Sequence, residues 1–277
     1  MLNNRQLLLQ MTRQLKDLGI EDAAEEARYA LSSVQNCDIS TLLLSGEAEA
    51  DEIAVAKANE IINRRKQHEP LAYILGERWF MGLKFKVTPA VLIPRQETEI
   101  LTEAVLSEIK GRTGARVLDM CTGSGCIAIA IDKLSDAEVT GADISLEALA
   151  VAGENAKENE SDIHLIESDL FENISGAFDV IVSNPPYVTD GEYRTLMPEV
   201  KLFEPQKALT AGEDGLDIYR KLIPEAKEHL MENGILMCEI GADQKGPVTD
   251  LFMNAGYREI NCMKDLAGRD RVMTGRK

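Results

Sequence analysis

The sequence predicts an α/β chain: a seven-stranded, mostly parallel sheet with an antiparallel last strand, preceded by an N-terminal helical bundle and a β-hairpin linker. Three observations predict it. Apolar residues recur at helical spacing through the first seventy positions. After Gly114 the pattern changes to strand, loop and helix in repeated order, which builds a parallel sheet with helices on both faces. The last two apolar runs are joined by a short loop with no helix between them, so they form a hairpin and make the last pair antiparallel.

In the first segment Leu7, Leu8, Met11, Leu15 and Leu18 mark one helical face, which Gly19 closes. EDAAEEARYALSSV places acids in its first turn, where the helix dipole favours them. EADEIAVAKANEIINRRKQH has one apolar face of Ile53, Ala54, Ala58, Ile61 and Ile62, and ends on basic residues. From Pro70, LAYILGERWFMGLKFKV carries two glycines and alternating Leu83, Phe85 and Val87, which predicts a hairpin. A helix follows over about 97–110. The strands are ARVLDM, AEVTGAD, IHLIESD, FDVIVSN, GILMCEIG, YREINCMKD and RDRVMTGR. The intervening helices are GCIAIAIDKL, SLEALAVAGENAKE, DIYRKLIPEAKEHL and PVTDLFMNAGY. The expected division is a helical domain over 1–70 that docks substrate, a hairpin linker over 71–90 and a catalytic domain over 91–277.

Composition excludes several classes. Thirty Lys+Arg against forty-seven Asp+Glu leave a net charge of −17, which argues against duplex DNA, because phosphate neutralisation supplies most non-specific affinity. The same charge keeps the protein soluble or favours a basic partner. The five cysteines are scattered without a CxxC, as expected of a reducing compartment. The three histidines lie far apart, so no zinc motif exists and no metal is expected. No apolar run approaches the roughly 20 residues of a membrane span, and the N-terminus does not read as a signal peptide. The expectation is a cytoplasmic, soluble monomer.

Four features fall at strand ends, where open α/β sheets bind ligands. Asp119-Met-Cys-Thr-Gly-Ser-Gly-Cys126 follows the first strand of the sheet; Gly123 and Gly125 let backbone approach a ligand, although a strand-to-helix turn without a ligand would use them too. Asp143 ends the second strand, where a carboxylate can accept both hydroxyls of a ribose; alone it would equally serve as a helix cap. Asp169 ends the third, placed to meet an adenine amino group while Leu170 packs on the ring. Asn184-Pro185-Pro186-Tyr187 ends the fourth. Such a match arises by chance in roughly one chain in a hundred of this length. Asn-Pro also makes a rigid turn, but its chemistry suits a planar nitrogen. The Asn184 side-chain oxygen and the Pro185 carbonyl can each accept one N–H. Together they aim the nitrogen's remaining lobe at an electrophilic methyl, so that orientation and water exclusion replace a strong base. Tyr187 can pack on the planar group or on a sulfonium.

These residues resemble the S-adenosylmethionine-dependent methyltransferases that modify planar nitrogen, and the mostly parallel sheet with its reversed last strand resembles the class I (Rossmann-like) methyltransferase fold. GERWF (76–80), VLIPRQETEI (91–100), FEPQKALTAGEDGL (203–216), CEIGADQ (238–244) and DLAGRDRVMTGR (265–276) make the chain similar over essentially its whole length to the PrmC/HemK family, the peptide chain release factor glutamine methyltransferases. The resemblance implies methylation, during translation termination, of the Gln amide in the Gly-Gly-Gln motif of class 1 peptide chain release factors. Cys121, Thr122, Gly123, Ser124 and Gly125 would then wrap the amino-acid end of S-adenosylmethionine, the source of the product S-adenosylhomocysteine. Asp143 would hold its ribose, and Asp169 and Leu170 would lie by its adenine. Asn184, Pro185, Pro186 and Tyr187 would hold the Gln amide, with Asn184 also beside the donor and Phe80 helping to wall the pocket. Arg95, Glu97 and Thr98 occupy the segment that approaches the donor and the active-site mouth. The chain departs from the family at Cys121 and Ala211, usually Gly, at Gln96, usually Pro, and at Leu170, often aromatic.

Three other readings compete with that one. The first is a glutamine methyltransferase acting on a ribosomal protein. The second is a nucleic-acid adenine methyltransferase, which would need base flipping and phosphate contacts for which no basic, aromatic-laced domain is visible. The third is a donor-binding module that has lost catalysis.

Overall fold

The computed structural model describes residues 2–277, and the chain forms two compact units: residues up to Gly76 together with Met197–Phe203, and Glu77–Leu196 together with Glu204–Lys277.

The first unit is helical: α1 (Asn4–Asp17), α2 (Ala23–Gln35), α3 (Ile39–Leu44), α4 (Glu52–Arg65) and α5 (Leu71–Leu75). Asn3 and Gln6 form a reciprocal capping box at the start of α1, an arrangement that contributes about 1 kcal/mol. Leu7, Met11 and Leu15 of α1 pack with Ala27, Ala30 and Leu31 of α2 and with Ile61 and Ile62 of α4. Leu71–Leu75, expected to begin the hairpin, instead makes a last helical turn ended by Gly76 at φ 75°. Arg65 is buried and donates to Glu26, to the Glu69 carbonyl and to Glu199, at 2.6, 2.8 and 3.0 Å. Through Glu199 it ties in a short helix that arrives from far along the chain.

The second unit opens with the hairpin β1 (Glu77–Phe80) and β2 (Leu83–Lys86). It is not a free linker. Lys86 exchanges backbone hydrogen bonds with the Asn155 side chain, and the Met81 N–H donates to Glu99 at 2.7 Å. Phe80 and Phe85 are buried in the same apolar core as Val117, Ile129 and Val180.

After a 3-10 turn at Gln96–Thr98 and α6 (Glu99–Glu108), the remaining elements alternate. They are β3 (Arg116–Met120), α7 (Cys126–Leu134), β4 (Glu138–Asp143), α8 (Leu146–Glu158), β5 (His164–Glu167) and β6 (Phe178–Ser183). A long connection follows β6. It carries two short helices, α9 (Asp190–Tyr193) and α10 (Pro198–Phe203), before α11 (Asp217–His229) and β7 (Leu230–Glu239). The chain finishes with α12 (Lys245–Asn254), β8 (Arg258–Lys264) and β9 (Asp270–Arg276).

The sheet runs β5-β4-β3-β6-β7-β9-β8. Strands β5 to β7 are parallel, and β9 inserts antiparallel between β7 and β8. Val117, Val180 and Val182 enter one core while Leu118, Met120 and Ile181 enter the other, so alternate residues feed the two faces. The strand order reverses between β3 and β6, where Met120 pairs with Ser183. That reversal brings the Cys121–Gly125 loop and Asn184 to the same crevice.

Candidate active site

A cavity of about 780 Å³ opens at the carboxyl ends of β3, β4 and β6. Its size falls within the roughly 300–1,000 Å³ of small-molecule sites. Cys121, Thr122, Gly123 and Ser124 form one wall. Asp143, Asp169 and Leu170 form a second, and Asn184 and Pro186 a third. Arg95 and Thr98 close it from the segment before α6.

The loop after β3 is shaped by Asp119, which is fully buried. Its Oδ2 accepts from the Thr122 hydroxyl at 2.6 Å and from the Ala128 N–H at 3.2 Å. Burial raises its pKa to about 7. Its other oxygen, Oδ1, has no partner among the described residues. Gly125, expected to touch the donor, is not on the cavity wall. A Cβ there would stand 3.1 Å from both Ala152 Cβ and Ile129 Cδ1, so this glycine serves close packing of α7 on α8. Cys121 holds a left-handed backbone, φ 63°, which a glycine would adopt without strain. Burial and the carboxylate of Asp143 push its thiol pKa upward.

At the end of β4, Asp143 spends one contact of each carboxyl oxygen on backbone. Oδ2 accepts from Gly123 N–H and Oδ1 from Ser145 N–H, both at 2.9 Å. The cap of α8 is Ser145, which accepts from Ala148 N–H, so Asp143 is free of that task. Burial raises the Asp143 pKa against these two hydrogen bonds. Each oxygen keeps a lone pair, and the pair together suits a vicinal diol.

The Asn184 end is built differently. The Asn184 amide donates from Nδ2 to Thr98 Oγ1 at 3.2 Å. Thr98 donates to Glu239 Oε2 at 2.6 Å, and the Tyr187 hydroxyl donates to Glu239 Oε1 at 3.2 Å. Glu239 closes β7 and is 2 % exposed. Burial raises its pKa, opposed by the hydrogen bonds of Thr98 and Tyr187 and by the charge of Arg271. Gln244 holds the loop in place, donating to the carbonyls of Tyr187 and Gly215 at 2.9 and 3.2 Å. Arg95 forms an ion pair with the buried Glu204, and Glu204 also accepts from Ile93 N–H.

Four further residues singled out in the sequence do not stand on the cavity wall. Tyr187 does not line the cavity, because its ring turns to bring the hydroxyl to Glu239. Pro185 is buried and Glu97 lies off the wall. Phe80 is 1 % exposed, edge-on to Phe85 at 6.2 Å, and belongs to the core of the unit and not to a pocket. Sequence reasoning assigned no role to Glu239, Gln244 or Glu204. The signal for Glu239 was an acid ending an otherwise apolar strand, at the sheet end where Asp143 and Asp169 also stand.

The Asp143 carboxyl, with a lone pair left on each oxygen for a diol, and the adjoining Asp169 and Leu170 on the same wall fit a nucleoside. Among the described residues no cluster of acids, histidines or cysteines suits a metal ion, and no helix is long and apolar enough to cross a membrane.

Comparison with known proteins agrees with this arrangement. Residues 83–265 match the methyltransferase small domain family and residues 6–76 match the PrmC N-terminal domain. The release factor glutamine methyltransferase of Geobacter sulfurreducens is 40% identical over 264 residues, spanning 95% of this chain and 92% of that protein. The protein of the same name from Thermodesulfovibrio yellowstonii is 45% identical over 218 residues, 77% of this chain and 78% of its own. Among solved structures, a ribosomal protein L11 methylase from Lactobacillus delbrueckii subsp. bulgaricus superposes with a TM-score of 0.51 at 27% identity, covering 68% of this chain and 83% of that one. With two domains matched in order and identity at this level across nearly its full length, the chain belongs to the release factor glutamine methyltransferases, enzymes whose methyl donor is S-adenosylmethionine.

Proposed function

We propose that this chain transfers a methyl group from S-adenosylmethionine to the side-chain amide nitrogen of the glutamine in the Gly-Gly-Gln motif of class 1 peptide chain release factors. The observation that carries the chemistry is Asn184, at the cavity edge, with its amide nitrogen already committed to Thr98. Its Oδ1 is the end left to accept an N–H from the acceptor amide. The relatives' names support the choice of substrate.

An amide nitrogen is a weak nucleophile because its lone pair is delocalised into the carbonyl. In this reading Asn184 Oδ1 and the Pro185 carbonyl accept its two hydrogens and turn the third direction toward the methyl group. Pro186 fixes the backbone that follows them, and Tyr187 acts by anchoring the loop on Glu239. Asp143 holds the donor's ribose, the Cys121–Ser124 wall its amino-acid end, and Asp169 and Leu170 its adenine. Arg95 and Thr98 close the mouth. The donor supplies the electrophilic methyl; the chain supplies orientation and a dry site.

The helical first unit is the part we assign to substrate docking. The protein is taken to work in the cytoplasm as a monomer. With a net charge of −17, it attracts a basic, RNA-binding substrate at long range, so association weakens as salt rises.

The deciding experiment combines purified protein, S-adenosylmethionine and an unmodified class 1 release factor, read by peptide mass spectrometry. One added methyl on the Gly-Gly-Gln glutamine is the expected result. Donor binding without that methyl would redirect the search to ribosomal proteins and then to nucleic acid.

A further inference from the structure

We infer that Thr98 and Glu239 are a positioning pair that decides which way round the Asn184 amide sits. This rests on the reading of Asn184 as the acceptor clamp. The side-chain amide of asparagine is nearly symmetric in shape, and a half-turn exchanges an oxygen that accepts for a nitrogen that donates. Only one orientation works here, because an NH2 group turned toward the substrate's own NH2 sets donor against donor.

The choice follows from counting protons. Thr98 Oγ1 stands 2.6 Å from Glu239 Oε2 and 3.2 Å from Asn184 Nδ2. A carboxylate can only accept, so the single hydroxyl proton of Thr98 goes to Glu239 in a charge-assisted bond. Thr98 Oγ1 is then an acceptor only, and the NH2 end of Asn184 is the end that satisfies it. The flipped amide would face two oxygens with no proton between them. Glu239 is itself fixed: Tyr187 OH reaches its Oε1 at 3.2 Å, and its carbonyl accepts from Tyr219 OH at 2.5 Å. Thr98 and Glu239 are each 2 % exposed, so water does not stand in for a lost partner.

The lock works only while Glu239 is ionised. A protonated Glu239 can donate to Thr98, which frees the Thr98 proton to meet Asn184 Oδ1. The charged and titratable groups facing Glu239 are Arg271, which favours its ionised form, Glu97, which opposes it, Tyr187, and the buried Tyr219 and Cys126. Its pKa is raised by burial, so the transfer rate falls on the acid side as Glu239 takes up a proton.

The test uses the full chain with saturating donor and release factor, measuring the single-turnover rate, donor affinity and thermal stability. Thr98→Val and Glu239→Gln each slow transfer about 10–100-fold, the scale of a small misplacement of a reacting group. Donor affinity stays within about twofold of wild type in Glu239→Gln, whose side chain is off the cavity wall. Thr98→Ser, which keeps the hydroxyl, recovers most of the rate. The double variant is no slower than the slower single one, and the acid limb of the rate disappears in Glu239→Gln. A full rate in Thr98→Val overturns the pair, as does a Thr98→Ser enzyme as slow as Thr98→Val, or a loss of donor affinity that accounts for the lost rate. Wild-type protein that leaves release factors unmethylated would overturn the proposed substrate, not the pair. The pair is then read from the Asn184 side-chain NH2 resonance of isotopically labelled protein. Protection from solvent exchange in wild type that vanishes in Thr98→Val supports it, and equal exchange in both overturns it.

Discussion

The two ends of the cavity hold their polar groups by opposite means. At one end Asp143 is steadied by two backbone N–H groups from residues 123 and 145, close to it in sequence or just across the strand pair β3–β4. At the other, Asn184 is steadied by side chains alone, through Thr98 to a buried carboxylate on β7. Backbone donors are fixed by strand pairing and tolerate most substitutions nearby. A side-chain relay depends on the identity of every member, and a single change leaves a buried group unpaired. The end that binds is therefore expected to be robust, and the end that orients is expected to be brittle.

The largest effect should come from Asn184→Ala, which removes the clamp without touching the Asp143 end. The rate at saturation falls about 100–1,000-fold, the scale seen when one preorganised hydrogen-bonding group is lost from an active site. Donor affinity, measured by calorimetry, stays within a few-fold; a collapse of binding would show that the two ends are not separable. Asp143→Ala is the converse. Losing a charged hydrogen-bond acceptor worth about 1.5–3 kcal/mol weakens donor affinity about 10–100-fold, while the rate at saturating donor changes little. A variant that binds normally but transfers slowly would reverse the assignment.

Asp119 offers a subtler test, through pH. Its pKa is raised from the ordinary carboxylate range to about 7. The folded state therefore holds a proton that the unfolded chain releases near pH 4. The sign is fixed by linkage: this stability is complete below the unfolded pKa and is lost as pH rises through about 7. Unfolding curves from pH 4 to pH 8 should show wild type losing more stability over that range than Asp119→Asn. Equal slopes would mean that Asp119 is ionised in the folded protein throughout.

The smallest effect is expected at Cys121, where a residue with a side chain sits at φ 63°. A left-handed backbone costs roughly 1–2 kcal/mol for such a residue, while glycine gives back about 0.5–1 kcal/mol in unfolded-state entropy. Cys121→Gly should therefore raise the unfolding free energy by about 0–1.5 kcal/mol. Cys121→Val, β-branched at the same φ, should lose about 1–2 kcal/mol. A valine variant as stable as wild type would show that the loop relaxes out of the left-handed region.

The readability of the two ends differed for the same reason as their construction. The Cys121–Ser124 turn and Asp143 could be located because each directly follows an apolar strand, and strand-end position is a local property. The Asn-Pro-Pro-Tyr segment stood out by composition, but the direction of Tyr187 did not. Reading it as packing on the planar substrate group or a sulfonium took its ring to face the site, whereas its hydroxyl found Glu239, 52 residues away. Phe80 failed similarly: an aromatic ring near a predicted pocket was drawn into the core by Phe85 and α6. Leu71–Leu75 was misread because an apolar run of that length suits a strand or a helical turn equally, and the following Gly76 settled it as a helix end.

The sequence by itself determined the alternation of strands and helices, the helical first unit, the reversed last strand and the set of strand-end residues that line the cavity. Those features follow from apolar period, turn residues and spacing, all of which act over a few residues. Only the tertiary structure decided that the hairpin is bound into the second unit and that Met197–Phe203 belongs with the first. It also decided that residues 98, 184, 187 and 239 share one hydrogen-bonded chain. Those outcomes depend on strand order. Placing β6 between β3 and β7 sets Asn184 beside both the Cys121 loop and the end of β7, and burial there makes a paired carboxylate the group that orients its neighbours.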